Sequence, residues 1–150
     1  MYNKRLKELR ESNNLDLQDL STLLNFEKDT YGKYEREYII IPIKHLNTLC
    51  NYFDVSIDYI FGFTNKTNYN NYQKEIDTKK VSKRLKEFRK DNNLTQEKLA
   101  KLLNVVKGTI GNYESARALI ATPFLYTICK KYNISADYIL GKVDEPKYLK

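Results

Sequence analysis

The segment KRLKEFRKDNNL at Lys83–Leu94 repeats the segment KRLKELRESNNL at Lys4–Leu15 almost letter for letter. The same offset of 79 residues aligns LSTLLN with LAKLLN, TYGKYE with TIGNYE, and SIDYIFG with SADYILG. No gap is needed, and nearly half of the positions from Asn3 to Gly62 carry the same residue in both copies. One register held over this length predicts two related units of about 60 residues each, near the smallest size that supports its own hydrophobic core.

The repeat divides the chain into two domains joined by a polar segment. We expect domain 1 at residues 1–63, a linker at 64–80, domain 2 at 81–142 and a tail at 143–150. The linker, TNKTNYNNYQKEIDTKK, contains four asparagines and neither glycine nor proline. Its second half, from Tyr72, could also extend the first helix of domain 2.

Apolar residues recur at helical spacing rather than in the alternation of β-strands. Domain 1 has five short apolar stripes, which contain Leu6 and Leu9; Leu20, Leu23 and Leu24; Tyr31 and Tyr34; Leu46, Leu49, Cys50 and Phe53; and Ile57, Ile60 and Phe61. The pattern predicts an all-α fold of two tandem five-helix domains, with nearly all of these side chains in the core.

Capping residues agree with these helix boundaries. Asp16 and Thr95 precede the second helix of their units, where an N-cap is needed, and serines do the same for the fifth helix. Gly62 and Gly141 follow the fifth helix, where a left-handed residue commonly ends a helix.

The composition argues against several other classes of protein. Hydrophobic residues make up 41% of the chain and charged residues 30%, which is typical of a soluble globular protein. No run of about 18 apolar residues is present, so we expect no membrane span, and the N-terminal segment lacks the apolar region of a secretory signal. We therefore expect a cytoplasmic protein.

The residues that carry most enzyme and metal chemistry are scarce. Cys50, Cys129 and His45 are too few for a disulfide framework, a thiolate zinc site or most histidine-dependent catalysis. No nucleophile–base set, metal-ligand cluster or phosphate-binding loop is recognisable. We expect no enzymatic activity, metal, cofactor or evident small-molecule ligand. The cysteines are expected as small buried hydrophobes, and His45 is expected on a helix surface without a role.

The second and third predicted helices of each unit are separated by only a few residues, which is helix-turn-helix spacing. RLKEFRKDNNLTQEKLAKLLNV, then TIGNYE, then ICKKYNISADYILG follow in order, and each has its counterpart in the first unit. This ordered set, present twice, resembles the Cro/lambda-repressor-like (XRE-type) helix-turn-helix domain. The resemblance implies a bacterial or phage-type transcriptional regulator, most simply a repressor, associated with the nucleoid. It also implies binding to specific sequences of double-stranded DNA, usually as a homodimer.

In a helix-turn-helix pair the first helix crosses the phosphate backbone, and the N-terminal half of the second enters the major groove. In unit two the resemblance implies DNA contacts from Thr95, Gln96, Lys107, Gly108, Thr109, Gly111, Asn112 and Arg117. The weaker candidates in unit one are Gln18, Lys28, Thr30 and Lys33.

The side chains suggest different roles within this set. Lys107 can donate to guanine or a phosphate, Asn112 can pair with adenine, and Arg117 suits a phosphate. Thr95 is also a helix cap, and Gln96 could instead be a solvated surface residue. The two glycines could allow close approach to DNA or could simply weaken the helix.

Two arginines that could contact DNA are instead expected to have a structural role. The family pattern pairs Arg10 with Glu35 and Arg89 with Glu114, as partly buried ion pairs between the first and third helices.

The two units differ in charge. The chain has a net charge of +7, but residues 3–62 carry −2 and residues 82–141 carry +6. Unit one has Glu27 and Asp29 where unit two has Val106 and Gly108, and Leu17 where unit two has a glutamine. We expect unit two to be the main DNA reader, and unit one to bind DNA weakly or to serve interaction and dimerisation.

Apolar loop residues after the third helix suggest an interface. Three consecutive isoleucines in a loop cannot all be buried in so small a core, and exposed apolar patches usually mark contacts with other molecules. The expected interface residues are Ile39, Ile40, Ile41, Leu119 and Ile120. A protein-interaction module, such as an antirepressor or a regulator of a partner protein, is the alternative function.

Overall fold

The computed structural model describes residues 2–149, and ten α-helices account for most of them. The chain forms two compact units, the first ending at Asn70 and the second beginning at Asn71. Unit 1 contains α1 (Asn3–Ser12), α2 (Leu17–Leu23), α3 (Thr30–Glu35), α4 (Ile43–Phe53) and α5 (Ile57–Ile60). Unit 2 contains α6 (Thr78–Asp91), α7 (Gln96–Leu103), α8 (Lys107–Glu114), α9 (Thr122–Tyr132) and α10 (Ala136–Ile139). The predicted all-α fold of two tandem five-helix domains is confirmed.

Side-chain caps determine where several helices begin. The Asp16 carboxylate accepts a hydrogen bond from the Asp19 N–H at 2.7 Å, and the Asp19 carboxylate accepts one from the Asp16 N–H at 2.9 Å. Thr95 caps α7 through the Lys98 N–H at 3.1 Å. Each cap satisfies an amide that has no partner within its helix, so the expected start positions follow from local chemistry.

Each unit has its own apolar core. Leu20, Leu46 and Leu49 are fully buried in unit 1, and Leu125 and Ile128 in unit 2. Both cysteines are fully buried, as expected for small hydrophobes.

The structure corrects two of the expected interface residues. Ile41 and Ile120 are each only 2% exposed and belong to the core. Ile120 borders the same apolar space as Leu99, Ile110 and Ile128, because the chain passes over the core as it enters α9. These two side chains are therefore not available to an interface.

His45 is also corrected, because it is not a plain surface residue. Its ring lies 4.6 Å from the Phe26 ring, and its Nδ1 hydrogen-bonds the Tyr34 hydroxyl at 2.7 Å. Burial, with a smaller contribution from the charge of Lys44, lowers the pKa of His45. The residue thus joins the turn before α3 to α4.

The segments that follow α5 and α10 pack back onto their own units. Arg5 Nη1 donates to the carbonyls of Tyr59 and Thr64, at 2.6 and 2.5 Å. Arg84 Nη1 makes the equivalent bonds to Tyr138 and Val143, at 2.5 and 2.8 Å. The repeat therefore continues past Gly62 and Gly141 into the segments expected as linker and tail.

The second half of the polar segment does not extend α6 back to Tyr72. The Gln73 and Asp77 N–H groups donate to the carbonyls of Lys142 and Leu140, at 2.7 and 3.1 Å. Amides engaged in these bonds cannot join a helical ladder. The Asp77 carboxylate then caps α6, which begins at Thr78.

Candidate nucleic-acid interface

Helices α7 and α8 form a helix-turn-helix pair. Asn104 ends α7 in the left-handed conformation, with φ of 57°, and the Val105 N–H donates to the Ala100 carbonyl at 2.9 Å. The buried residues of the pair are Leu99, Ala100, Leu103, Ile110 and Tyr113. Because these side chains point into the core, the remaining positions of α8 form an outward surface.

That surface carries the residues predicted for DNA contact in unit 2. Lys107, Gly108 and Asn112 are exposed, and Thr109 and Gly111 are half-buried. Arg117, just beyond α8, is exposed as well. The structure thus places the expected contact residues of α8 along one accessible side of a single helix.

The two glycines of α8 leave the helix backbone uncovered. Apart from its chain neighbours and the backbone of its own helix, a Cβ atom added at Gly108 or Gly111 would meet nothing within 4 Å. Neither glycine is therefore required by packing inside the unit. Without side chains at these two positions, the backbone of α8 is accessible from outside the unit.

Gln96 departs from the sequence-based expectation of an amide directed at DNA. Its Nε2 donates to Glu114 Oε1 at 3.3 Å, and the residue is half-buried. This occurs because the start of α7 lies close to the end of α8. In this structure the Gln96 amide supports Glu114.

The arginine and glutamate pairs connect the first and third helices of each unit. Arg89 Nε and Nη2 donate to the two Glu114 carboxylate oxygens at 2.7 and 2.9 Å, and Arg89 Nη1 donates to the Leu94 carbonyl at 2.9 Å. Arg10 and Glu35 form the same arrangement at 2.9 and 2.7 Å. With their donors used in this way, both arginines hold α3 and α8 in place.

Burial raises the pKa of Glu114, but this effect is outweighed. Hydrogen bonds from Arg89 and Gln96, together with the positive charge of Arg89, hold the pKa of the carboxyl below its usual range. Glu114 is therefore a structural anion of the helix-turn-helix pair.

The corresponding surface of unit 1 is built differently. Helix α3 begins at Thr30, whereas α8 begins at Lys107, the counterpart of Lys28. Asp29 takes the left-handed conformation, with φ of 66°. Lys28 thus lies in the turn before the helix, and only Thr30 and Lys33 of the predicted α3 contacts lie on it.

Side chains of unit 1 also cover this surface. A Cβ atom at Gly32 would lie 3.3 Å from Arg36 Nη2 and 3.4 Å from Leu17 Cδ1, and Gly32 itself is buried. Gln18 donates to Thr22 Oγ1 at 3.2 Å within its own helix. Side chains therefore cover the α3 backbone at Gly32, whereas the α8 backbone at Gly111 is uncovered.

Two further residues lie at the unit 2 surface and were not among the contact residues predicted from the sequence. Val106 is exposed immediately before α8, and Glu97 Oε1 lies 3.9 Å from Lys107 Nζ. An apolar residue in the turn was a visible signal for Val106. Nothing local marked Glu97, because its proximity to Lys107 depends on how the two helices pack.

Over residues 2–149 no group of three or more histidine, cysteine or acidic residues could hold a metal ion. Within the same residues no helix is both long enough and apolar enough to cross a membrane.

Comparisons with known proteins point to one family. The uncharacterized HTH-type transcriptional regulator YobD of Bacillus subtilis is 36% identical over 88 residues, which are 59% of this chain and 70% of YobD. The HTH-type transcriptional regulator ImmR of the same organism is 37% identical over 67 residues, covering 45% of this chain and 53% of ImmR. Antitoxin PezA of Streptococcus pneumoniae is 29% identical over 62 residues, covering 41% of this chain and 39% of PezA. No solved structure shows a significant match.

The helix-turn-helix domain family matches the chain twice, at residues 3–66 and 82–145. Each match spans one five-helix unit with its pair of helices joined by a short turn. The chain therefore belongs to the helix-turn-helix domain family and contains two copies of the domain in tandem.

Proposed function

We propose that this protein is a transcriptional regulator that binds specific sequences of double-stranded DNA through unit 2 and acts as a repressor. The open, glycine-containing surface of α8, with Lys107 and Asn112 exposed on it, carries this proposal. Two of the relatives, YobD and ImmR, are named as transcriptional regulators, which agrees with it. In this proposal the protein acts in the cytoplasm, at the nucleoid, as a DNA-binding regulator rather than as an enzyme.

In the proposed complex, α8 lies in the major groove and α7 crosses the phosphate backbone. Lys107 donates to guanine or to a phosphate, and Asn112 makes paired hydrogen bonds with adenine. Thr109 lies between them, and Arg117 contacts a phosphate beyond the helix. The close approach is possible because neither Gly108 nor Gly111 places a side chain between the helix and the base edges.

Gly111→Ala tests this close approach. The added methyl group meets nothing inside the unit, and alanine removes a helix penalty of about 1 kcal/mol, so the melting temperature of unit 2 should rise. The affinity for DNA fragments selected from a random pool should nevertheless fall about tenfold, because the methyl group separates the helix from the groove. Fluorescence anisotropy with labelled duplexes measures this affinity.

The matched control is Gly32→Ala in unit 1, where the backbone is already covered by Arg36 and Leu17. This change should leave DNA affinity unaltered. Parental binding should also weaken steeply with added salt, because phosphate contacts release counterions. Undiminished affinity of the Gly111→Ala protein would contradict the groove-facing role of α8.

We also propose that unit 1 supports a homodimer. Tyr38, Ile39 and Ile40 are 73%, 44% and 63% exposed in one loop, which makes them the accessible part of the expected interface. The counterpart of Ile40 in unit 2, Leu119, is half-buried and contributes less.

Ile40→Asp should shift the protein to a smaller species in sedimentation, because a charge in an apolar contact cannot be solvated. Tyr52→Asp is the control, since Tyr52 is an exposed aromatic residue elsewhere in unit 1. If Ile40→Asp leaves both the mass and the stability unchanged, this loop is not the dimer contact.

A protein-interaction module is the second candidate, and the covered α3 surface of unit 1 favours it. The backbone at Gly32, the counterpart of Gly111, is surrounded by Arg36, Leu17 and Asp29. Unit 1 also carries a net negative charge. Salt-independent capture of a partner protein, with no DNA retardation by the full chain, would support this function over the first.

A further inference from the structure

We infer that Glu97 and Lys107 together read one G·C base pair, with Lys107 on the guanine and Glu97 on the cytosine. The inference rests on the proposed function, because it requires α8 to lie in the major groove. It assigns a specificity-determining role to Glu97, an acidic residue on a surface that is otherwise suited to binding an anionic partner.

Glu97 lies beside the lysine that begins α8. Its Oε1 lies 3.9 Å from Lys107 Nζ, and the two side chains are 76% and 61% exposed. Lys107 is the first residue of α8, and Glu97 is the second residue of α7. Helix packing therefore brings a hydrogen-bond acceptor beside a donor at the end of α8 that enters the groove.

The major-groove edge of a G·C pair matches this arrangement. Guanine presents two acceptors, N7 and O6, and cytosine presents the N4 amino donor. O6 and N4 are hydrogen-bonded to each other, so they lie roughly 3 Å apart. Lys107 can donate to N7 and O6 while Glu97 accepts from N4, without the two side chains separating.

A T·A pair, with thymine on the lysine side, matches the Glu97–Lys107 pair less well. With thymine on the lysine side, Lys107 finds the single O4 acceptor beside a C5 methyl group, although Glu97 can still accept from adenine N6. The pair of residues therefore favours guanine over thymine on the lysine side. Reversing the base pair places the cytosine amino group against the ammonium and a guanine acceptor against the carboxylate.

Unit 1 has no counterpart of the Glu97–Lys107 pair, so this pair of side chains is not a general feature of the repeat. The counterpart of Glu97 is Gln18, whose amide donates to Thr22 Oγ1. The counterpart of Lys107 is Lys28, which lies outside α3. The base-pair recognition inferred here belongs to unit 2 alone.

The test begins with selection of DNA fragments by the full-length parental protein, followed by binding measurements on duplexes with single base-pair changes. One position should require G·C, with about tenfold weaker binding when the pair is reversed to C·G. In Glu97→Ala the discrimination against the reversed C·G pair should largely disappear at that position and persist at the others, whereas the preference for guanine over thymine on the lysine side should remain, because it comes from Lys107. Glu97→Gln should extend the accepted bases toward adenine, because an amide pairs with adenine N6 and N7.

Glu87→Ala is the matched control. Glu87 is an exposed acid on α6 with its own lysine partner, since its Oε1 lies 4.0 Å from Lys83 Nζ. Its removal changes the net charge equally but should change affinity for all duplexes by a similar factor. If Glu97→Ala behaves as Glu87→Ala does, with base preferences unchanged, the inference is overturned. If the parental protein selects no sequence at all, the proposed function fails instead.

Discussion

Replacing Lys107 and Asn112 together by alanine is expected to reduce affinity for the selected operator by about a hundredfold or more. Each side chain is exposed on α8, and each base contact contributes about 1–3 kcal/mol of discrimination. Loss of both therefore removes most of the sequence-specific component and leaves the weaker attraction to phosphates. Anisotropy titration with the operator and with an unrelated duplex measures the two components separately.

Lys28→Ala with Lys33→Ala is the matched double variant, because these residues occupy the corresponding positions in unit 1. Since Lys28 lies outside α3 and Gly32 is covered, we expect this variant to lose little specificity. Equal losses from the two double variants would mean that both units read DNA. Parental binding by the Lys107→Ala, Asn112→Ala protein would show that α8 does not read the operator.

Glu114→Ala is expected to lower the free energy of unfolding of unit 2 by about 3 kcal/mol. Removal of the carboxylate leaves the Arg89 guanidinium, whose side chain is only 11% exposed, without its ionic partner. Urea denaturation followed by circular dichroism measures this loss. Glu87→Ala, at an exposed position, should cost less than about 0.5 kcal/mol.

The Arg89–Glu114 ion pair also predicts how the stability of unit 2 changes as the pH falls. Because the pKa of Glu114 is lower in the folded protein than in the unfolded chain, its ionised form contributes stability above the unfolded pKa of about 4.3. This contribution is lost as the pH falls through the folded value. The stability difference between the parental protein and Glu114→Gln should therefore shrink below about pH 4. A difference that stays constant down to pH 2 would contradict a role for the ion pair.

The sequence by itself determined the architecture. The repeat, the helical spacing of apolar residues and the caps at Asp16 and Thr95 predict two five-helix units, since each signal depends on residues only a few positions apart. The outward positions of α8 follow from the same periodicity, because Ile110 and Tyr113 occupy the inner side of the helix.

Only the tertiary structure decided which of these residues are covered, paired or exposed. Ile41 is buried while Ile40 is exposed, Arg36 covers Gly32, and Glu97 lies beside Lys107. These outcomes depend on how loops cross the core and how one helix meets another. A pattern of single residues does not encode such distances, because the same residue types satisfy several packings equally well until the whole core is assembled.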